Sequence, residues 1–321
     1  MTLVALPATF ALPLTAMQKT ERIWLDGALV PWDAAQVHVM THTLHYGLGV
    51  FEGIRCYEGA HGVSAIFRLH EHLERLFGSA HILDLAMPYT REELAEACRD
   101  TVRANHLREC YLRPIAFLGD GDMGLSARPA TRVAIAAWPW GAYLGDEGLR
   151  HGVRLKTSSF QRFHPNTLLT KAKAVGHYVN SILAAQEARG GGYDEALLLD
   201  VDGYVSEASG ENIFIVKQGV VKTTPLPTVL GGITRDAALR LLGDLGVAVR
   251  EERFTRDEVY LADEAFFTGT AAEIVPIAEV DDRAVGTGRP GPVTKEIAEI
   301  FHQATTGQLD RYKTWNEYVS E

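Results

Sequence analysis

Two lysines two positions apart, Lys171 and Lys173, follow Pro165-Asn166-Thr167 and precede a run of small and apolar residues. A lysine amine held in a partly dry pocket has a lowered pKa and can condense with an aldehyde as a Schiff base. If exposed, the same pair would be two solvated lysines at a helix start. Two further stretches suit an anion. Gly231-Gly232-Ile233-Thr234-Arg235-Asp236 stands before the periodic run Ala238, Leu239, Leu241, Leu242, so N–H groups at a helix N-terminus are free there and the glycines allow close approach. Gly269-Thr270-Ala271-Ala272, directly after the apolar run Ala265 to Thr268, makes a second candidate nest. Two such sites on one chain raise the prospect of a phosphate-bearing cofactor.

Other chemistries fit less well. Among twelve histidines, His38, His42 and His45, or His70 and His72, invite a metal reading. No H-E-x-x-H occurs, no carboxylate or thiol stands at ligand spacing, and positions i, i+2 of a helix point apart, so these read as structural or surface histidines. Gly47-Leu48-Gly49-Val50-Phe51-Glu52-Gly53 approaches a dinucleotide fingerprint with the wrong final spacing, and no phosphate-binding G-x-x-x-x-G-K-[ST] loop is present.

Composition sets the frame. Hydrophobic content of 46% with 22% charged residues is that of a globular protein, and 321 residues suffice for two cores. A formal charge of −10 argues against nucleic acid as a partner. Cys56, Cys98 and Cys110 form no paired spacing, which suits a reducing cytoplasm. The apolar stretch Thr2 to Ala16 has no preceding Lys or Arg and is broken by Pro7 and Pro13. It reads as a flexible extension, residues 1–18, or as a mis-set start ahead of Met17, rather than a signal peptide. No stretch approaches the ~20 apolar residues that span a bilayer.

The elements that must position these groups can be sketched. A hairpin, Ile23–Leu25 with Ala28–Val30, turns at Asp26-Gly27. Helices follow with Leu69, Leu73, Leu76 and Phe77 on one face, and from about Arg91 to His106. Tyr111–Leu118 and Arg132–Trp138 read as strands. Together these predict a smaller N-terminal domain over 19–137. Trp138-Pro139-Trp140-Gly141-Ala142-Tyr143-Leu144-Gly145 breaks both periodicities and reads as an interdomain loop, 138–146, whose rings line something. The larger domain, 147–321, is expected to hold helices over Val175–Arg189, Thr234–Leu245 and Val293–Ala304. Its strands are expected at Ala196–Asp200, Asn212–Val216 and Ala265–Thr268, with turns at Asp202-Gly203 and Gln218-Gly219.

Phe51-Glu52-Gly53-Ile54-Arg55-Cys56-Tyr57, Tyr111-Leu112-Arg113-Pro114, Lys173 with Tyr178, Ser206-Glu207-Ala208-Ser209-Gly210-Glu211-Asn212, Gly232-Ile233-Thr234-Arg235-Asp236 and Gly269-Thr270-Ala271-Ala272-Glu273 stand in one order along the chain. In these motifs, from about Ile23 to the last helix, the sequence resembles the branched-chain amino-acid aminotransferases, which are fold-type IV pyridoxal-phosphate enzymes of α+β class. It departs from that pattern at Lys171, where relatives often carry a small residue, and at Gly231-Gly232, where Pro-Gly is more usual.

The resemblance implies pyridoxal 5′-phosphate as cofactor and amino acids and 2-oxo acids as small-molecule partners. Lys173 would bind the aldehyde and shuttle the proton between substrate Cα and cofactor C4′. Glu207 would accept from the pyridine nitrogen, and Tyr178 would bond the phenolic oxygen. Arg75, Ile233, Thr234, Gly269 and Thr270 would meet the phosphate end. For substrate, it implies Phe51, Tyr46, Tyr143 and Trp140 as apolar walls, Tyr111, Thr270 and Ala271 for the α-carboxylate, and Arg113 for the glutamate side chain; Arg113 could instead form a structural ion pair. A homodimer or higher homo-oligomer is implied, with Tyr46 and the Gly121–Leu125 turn reaching the neighbour's pocket. Three activities stay open: an L-branched-chain transaminase working with 2-oxoglutarate; a D-amino-acid or (R)-amine transaminase or an aminodeoxychorismate lyase-like enzyme; and a non-catalytic binder of the cofactor. Tyr111-x-Arg113-Pro114 favours the first.

Overall fold

The turn Asp26-Gly27 forms as the sequence predicts, both residues taking positive φ (47° and 97°), the geometry a two-residue hairpin demands. It joins β1 (Arg22–Leu25) to β2 (Ala28–Pro31). The computed structural model of the protein describes residues 17–60, 62–141 and 143–319; the expected extension up to Ala16 and loop residue Ala142 lie outside these. After β2 come α1 (His42–Tyr46), β3 (Gly49–Phe51), β4 (Ile54–Glu58), β5 (Ser64–Phe67), α2 (Leu69–Ile82), α3 (Arg91–Ala104), β6 (Cys110–Leu118) and β7 (Thr131–Trp138). A capping box starts α3, where Thr90 and Glu93 bond each other's backbone N–H groups.

Next are α4 (Gly145–His151), β8 (Val153–Thr157), α5 (Tyr178–Gly190), β9 (Glu195–Leu199), β10 (Val205–Ala208), β11 (Asn212–Lys217), β12 (Val220–Thr223) and α6 (Ile233–Asp244). The chain continues with β13 (Val249–Glu251), α7 (Arg256–Tyr260), β14 (Glu264–Gly269), β15 (Glu273–Val280), β16 (Arg283–Ala284), α8 (Pro292–Thr305) and β17 (Asn316–Tyr318). The expected helix from Val175 begins instead as a 3-10 turn, Val175–His177, before α5.

Among the described residues these strands form two sheets. The first runs β17-β5-β4-β6-β7-β1-β2, with β3 beside β6; the second runs β10-β9-β8-β15-β14-β11-β12-β13, with β16 beside β15. The hairpins expected at Asp202-Gly203 and Gln218-Gly219 pair β9 with β10 and β11 with β12, both antiparallel. β8 lies parallel to both β9 and β15. β17, although C-terminal, pairs antiparallel with β5 of the first sheet.

Packing follows the apolar faces. Ile54, Ile66, Leu69, Leu73, Leu76, Leu94 and Leu112 form one core between the first sheet and α2 and α3. Val153, Leu197, Ile213, Phe267 and Val275 centre a second. A third takes Tyr57 and Phe67 from the first sheet together with Phe214, Leu241, Phe266, Ile297 and Phe301, so α6 and α8 are seated against both halves. Cys56 and Cys110 face each other across β4 and β6 as free, buried thiols. No helix among the described residues is long and apolar enough to cross a membrane.

One buried ion cluster joins the first sheet to α2. The Glu52 carboxylate is fully buried and accepts from Arg75 Nε at 2.7 Å, Arg75 Nη2 at 2.8 Å and His72 Nδ1 at 2.7 Å. Burial alone would raise its pKa, but the charge and hydrogen bonds of Arg75, with those of His72, outweigh it and hold the carboxyl well below the usual 4.5. A depressed folded-state pKa contributes stability that is full above the unfolded value and lost as pH falls below it. Glu52→Gln is expected to cost about 3–5 kcal/mol near neutral pH, because Arg75 is left buried beside a neutral amide. That cost should shrink as the pH drops below 4.5. Urea unfolding of both proteins at about pH 7 and about pH 3.5 checks it.

Candidate active site

Between the two sheets the loops after β7, before α5, after β10, before α6 and after β14 converge on a cavity of about 230 Å³. Fourteen of the sixteen residues expected at the site line it: Phe51, Arg75, Tyr111, Arg113, Trp140, Tyr143, Lys173, Tyr178, Glu207, Ile233, Thr234, Gly269, Thr270 and Ala271. Tyr46 and Leu125 do not. They are 45% and 85% exposed, on α1 and on the turn before β7.

The two lysines part company. Lys173 Nζ reaches the Tyr178 hydroxyl at 2.7 Å and lies over the Phe51 ring, 5.1 Å from its centroid. Its backbone is pinned on both sides: Lys173 N donates to Ser79 Oγ at 3.0 Å, and Lys173 O accepts from Phe51 N at 3.1 Å. Lys171 turns the other way, with its ammonium donating to the carbonyls of Leu226 and Val229.

Glu207, buried on β10, lines the same cavity as Lys173. Its Oε1 lies 2.7 Å from Arg162 Nε, and its Oε2 accepts from Asn212 Nδ2 and Leu230 N, both at 3.3 Å. Burial raises this carboxyl above its usual value, with Arg162, the Leu230 N–H and Lys173 pulling the other way. Arg162 itself sits 4.0 Å over the Phe163 ring. Next to it His177 is lowered to about 4 by burial and by Arg162, so it is neutral. A second cavity carboxyl, Glu211, is pushed well above its usual value by burial and then by the neighbouring Glu195.

Both expected anion nests are built. α6 starts at Ile233 with no side-chain cap on its first-turn N–H groups, and Gly232, Ile233 and Thr234 face the cavity. At Gly232 a side chain is excluded, since a Cβ would stand 2.1 Å from Asn212 Oδ1. Arg75 donates to Glu52 and to Gly231 O at 2.8 Å, which engages three of its N–H groups and leaves two of the five a guanidinium carries. At the second nest, the Arg55 side chain donates to Thr270 O at 3.1 Å, Ala271 O at 2.9 Å, Trp140 O at 3.1 Å and Gly141 O at 2.9 Å. One guanidinium thereby ties the loop after β7 to the loop after β14.

The substrate side is aromatic. Tyr111 packs edge-on to Trp140, centroids 4.6 Å apart, and Trp140 meets Tyr143 at 5.7 Å. Gly53 makes room for the Tyr111 hydroxyl, which a Cβ would approach to 1.7 Å. Arg113 lies over Phe51 at 4.7 Å, and its buried Nε has no hydrogen-bond partner among the described residues. The structural ion pair weighed for Arg113 does not form there. Thr268 Oγ1, also on the cavity wall, is likewise buried without a partner. Charged donors and a hydroxyl left open in this way fit a small ligand with an anionic group at each end.

Sequence reading missed Glu52, His72, Arg162, Glu195 and the work of Arg55. Glu52 and Arg55 lie within a quoted motif; the others carry no local signal, since each partner comes from a distant part of the chain.

Residues 49–280 match the family model described as amino-transferase class IV, and the chain belongs to that family. It is 52% identical over 298 residues to a branched-chain-amino-acid aminotransferase of Pseudomonas aeruginosa, covering 92% of this chain and 97% of the relative. It superposes on the crystal structure of the Escherichia coli branched-chain amino acid aminotransferase with a TM-score of 0.92 at 48% identity, over 94% of this chain and 100% of that one. The branched-chain aminotransferase of the thermophilic archaeon Thermoproteus uzoniensis, solved with norvaline, matches with a TM-score of 0.89 at 46% identity, over 94% and 100%. The fold is therefore the fold-type IV architecture that the motifs implied.

Arg55→Leu tests the loop tie. Four partly buried carbonyls lose a charged donor, so unfolding free energy should fall by about 2–4 kcal/mol. Amide hydrogen exchange should quicken in the loops 138–141 and 269–272 ahead of the rest of the chain, as mass spectrometry would show.

Proposed function

We propose that the protein is a pyridoxal-phosphate transaminase that exchanges an amino group between L-leucine, L-isoleucine or L-valine and 2-oxoglutarate. The observation that carries this is that Lys173, Glu207 and two helix- or loop-borne nests line one cavity. The near-full-length likeness to branched-chain enzymes supports the substrate class.

Bound pyridoxal 5′-phosphate supplies an aldehyde for the amino group and a pyridinium ring that draws electrons from the substrate Cα. The chain's own residues do the rest. Lys173 Nζ would hold the aldehyde end and carry the proton at the substrate Cα, with the Tyr178 hydroxyl 2.7 Å away to steady it. Glu207, paired with Arg162 at 2.7 Å, would accept the ring N–H. Ile233, Thr234, Gly269 and Thr270 with the free donors of Arg75 would hold the phosphate.

For substrate, Tyr111 and the N–H groups of the loop at Thr270 and Ala271 would take the α-carboxylate. Phe51, Trp140 and Tyr143 offer apolar area to a branched side chain. Arg113, with Nε unpartnered, is placed for the side-chain carboxylate of glutamate. The D-amino-acid, (R)-amine, lyase-like and non-catalytic alternatives have no such observation in their favour.

Purified protein should convert L-leucine with 2-oxoglutarate, and not D-leucine. Arg113→Leu should weaken kcat/KM for 2-oxoglutarate by about tenfold or more while leaving L-leucine nearly untouched. Turnover followed by chromatography of the 2-oxo acids checks both; equal losses for the two substrates contradict the role of Arg113.

For the assembly we infer a homodimer. Tyr46 and Leu125 share a face, since His42 Nε2 on α1 meets Gly124 O at 3.0 Å. Gly176 N bonds Gly47 O at 3.1 Å and brings in the start of α5, whose Val179, Ile182 and Leu183 are exposed, as is Leu44. Such an apolar face suits a second copy that contributes Tyr46 and Leu125 to its neighbour's cavity. Light scattering should give a dimer or larger assembly, and Ile182→Glu should yield monomers of low activity. A fully active monomer contradicts it.

A further inference from the structure

From Leu226 to Gly232 the chain makes one 3-10 turn, Leu226–Thr228, and then runs without a strand partner into α6. Carbonyl after carbonyl in this loop is met by a donor from outside it. Lys171 Nζ donates to Leu226 O and, at 3.0 Å, to Val229 O. Thr170 Oγ1 donates to Pro227 O at 3.1 Å, and Ser206 Oγ to Thr228 O at 3.3 Å. Asn212 Nδ2 donates to Leu230 O at 3.0 Å and Arg75 Nη1 to Gly231 O at 2.8 Å.

The loop has little means of stiffening itself. It ends in Gly231-Gly232, and at Gly232 a Cβ would strike Asn212 Oδ1. Its rigidity is supplied by these straps, and among them only Lys171 spans two carbonyls. An ammonium has three donors and no acceptor, so it can bridge two carbonyls that face one point. Lys171 is an exposed residue whose ammonium end is only partly buried against these carbonyls, and that burial lowers its pKa while Glu207 opposes the shift. Lys171 is also two residues from Lys173, whose backbone is fixed to Ser79 and Phe51 on its far side. The segment from Thr170 to Lys173 is thus held by the first sheet and α2 at one end and holds the loop before α6 at the other.

We propose that Lys171 is a positioning residue, which fixes the N-terminus of α6 relative to Lys173 so that the phosphate end and the aldehyde end of the cofactor are gripped in register. This rests on the reading of α6 as a phosphate site given above. The strap leaves the chemistry to Lys173 and acts on how the cofactor is retained.

The test uses holoenzyme. Release of pyridoxal 5′-phosphate from Lys171→Met into a trapping protein should be about tenfold faster than from wild type, the loss expected of charged hydrogen bonds to carbonyls. The ³¹P resonance of the bound phosphate should shift or broaden in the same variant. Lys171→Arg, which can still bridge two carbonyls, should restore both readouts toward wild type. Should Lys171→Met not fold, Lys171→Gln, with donors for one carbonyl, carries the same measurements. Unchanged release, or faster release with an unchanged ³¹P resonance, overturns the proposal. Thr234→Ala separates it from the reading beneath it. If Thr234→Ala moves the ³¹P resonance and Lys171→Met does not, Lys171 alone is misassigned; if neither moves it, the phosphate site at α6 is misplaced.

Discussion

A buried carbonyl needs a donor, and the loops that build this site lie beyond the reach of either sheet's ladder. That constraint organises the centre of the molecule. Arg55 serves the loops after β7 and β14, Arg75 and Asn212 the residues just before α6, and Lys171 the turn ahead of them. A peptide unit is planar and trans, so its N–H points opposite to its carbonyl. Drawing the carbonyls of Thr270 and Ala271 toward Arg55 turns the N–H groups of Ala271 and Ala272 to the other side. Drawing Leu230 O and Gly231 O toward Asn212 and Arg75 does the same for Gly231 and Gly232. The nest after β14 is shaped from behind, by the arginine that holds its back, and the one before α6 by groups on the cavity wall itself.

Charge is sorted with the same economy. Glu52, Glu195, Glu207 and Glu211 are buried carboxyl groups of this region, and their neighbours set the direction each pKa takes. Glu52 is locked as an anion by Arg75 and His72. Glu207 keeps a raised pKa through burial but has Arg162 at 2.7 Å as a cationic partner. Glu211 has Glu195 for a neighbour, and burial together with that second carboxyl outweighs the pull of Lys173 and raises its pKa well above the usual value. The chain's net charge of −10 gives no hint of this arrangement, which depends on three-dimensional pairing.

What could be read from the sequence was whatever carried a local signal. The Asp26-Gly27 and Gln218-Gly219 turns, the apolar faces of α2, α3 and α8, and the glycine-led start of α6 are specified by neighbours in the chain. β4 and β5 are not: Ile54, Arg55, Cys56 and Tyr57, and then Ser64 to Phe67, are buried in succession, so there is no alternation to read. β17 is defined by its partner, and α1 is too short to show a period. At the site, the spacing of Lys173, Tyr178 and Glu207 was legible through resemblance. Arg162, His72 and Glu195 were not, because their roles exist only once distant segments meet. Tyr46 and Leu125 were named from family likeness, and no single-chain argument would have placed them at a cavity they do not line.

The pairing of β17 with β5 has a consequence for how the protein is born. β5 is made early and β17 near the end, so the first sheet emerges from the ribosome with an open edge at Ser64–Phe67 that stays open while the whole second sheet is synthesised. At ordinary elongation speeds that interval is on the order of tens of seconds. An unpaired apolar strand is a template for another chain. Nascent copies on one message are therefore most vulnerable to each other during this interval, and closing the edge is the last event that makes the fold private.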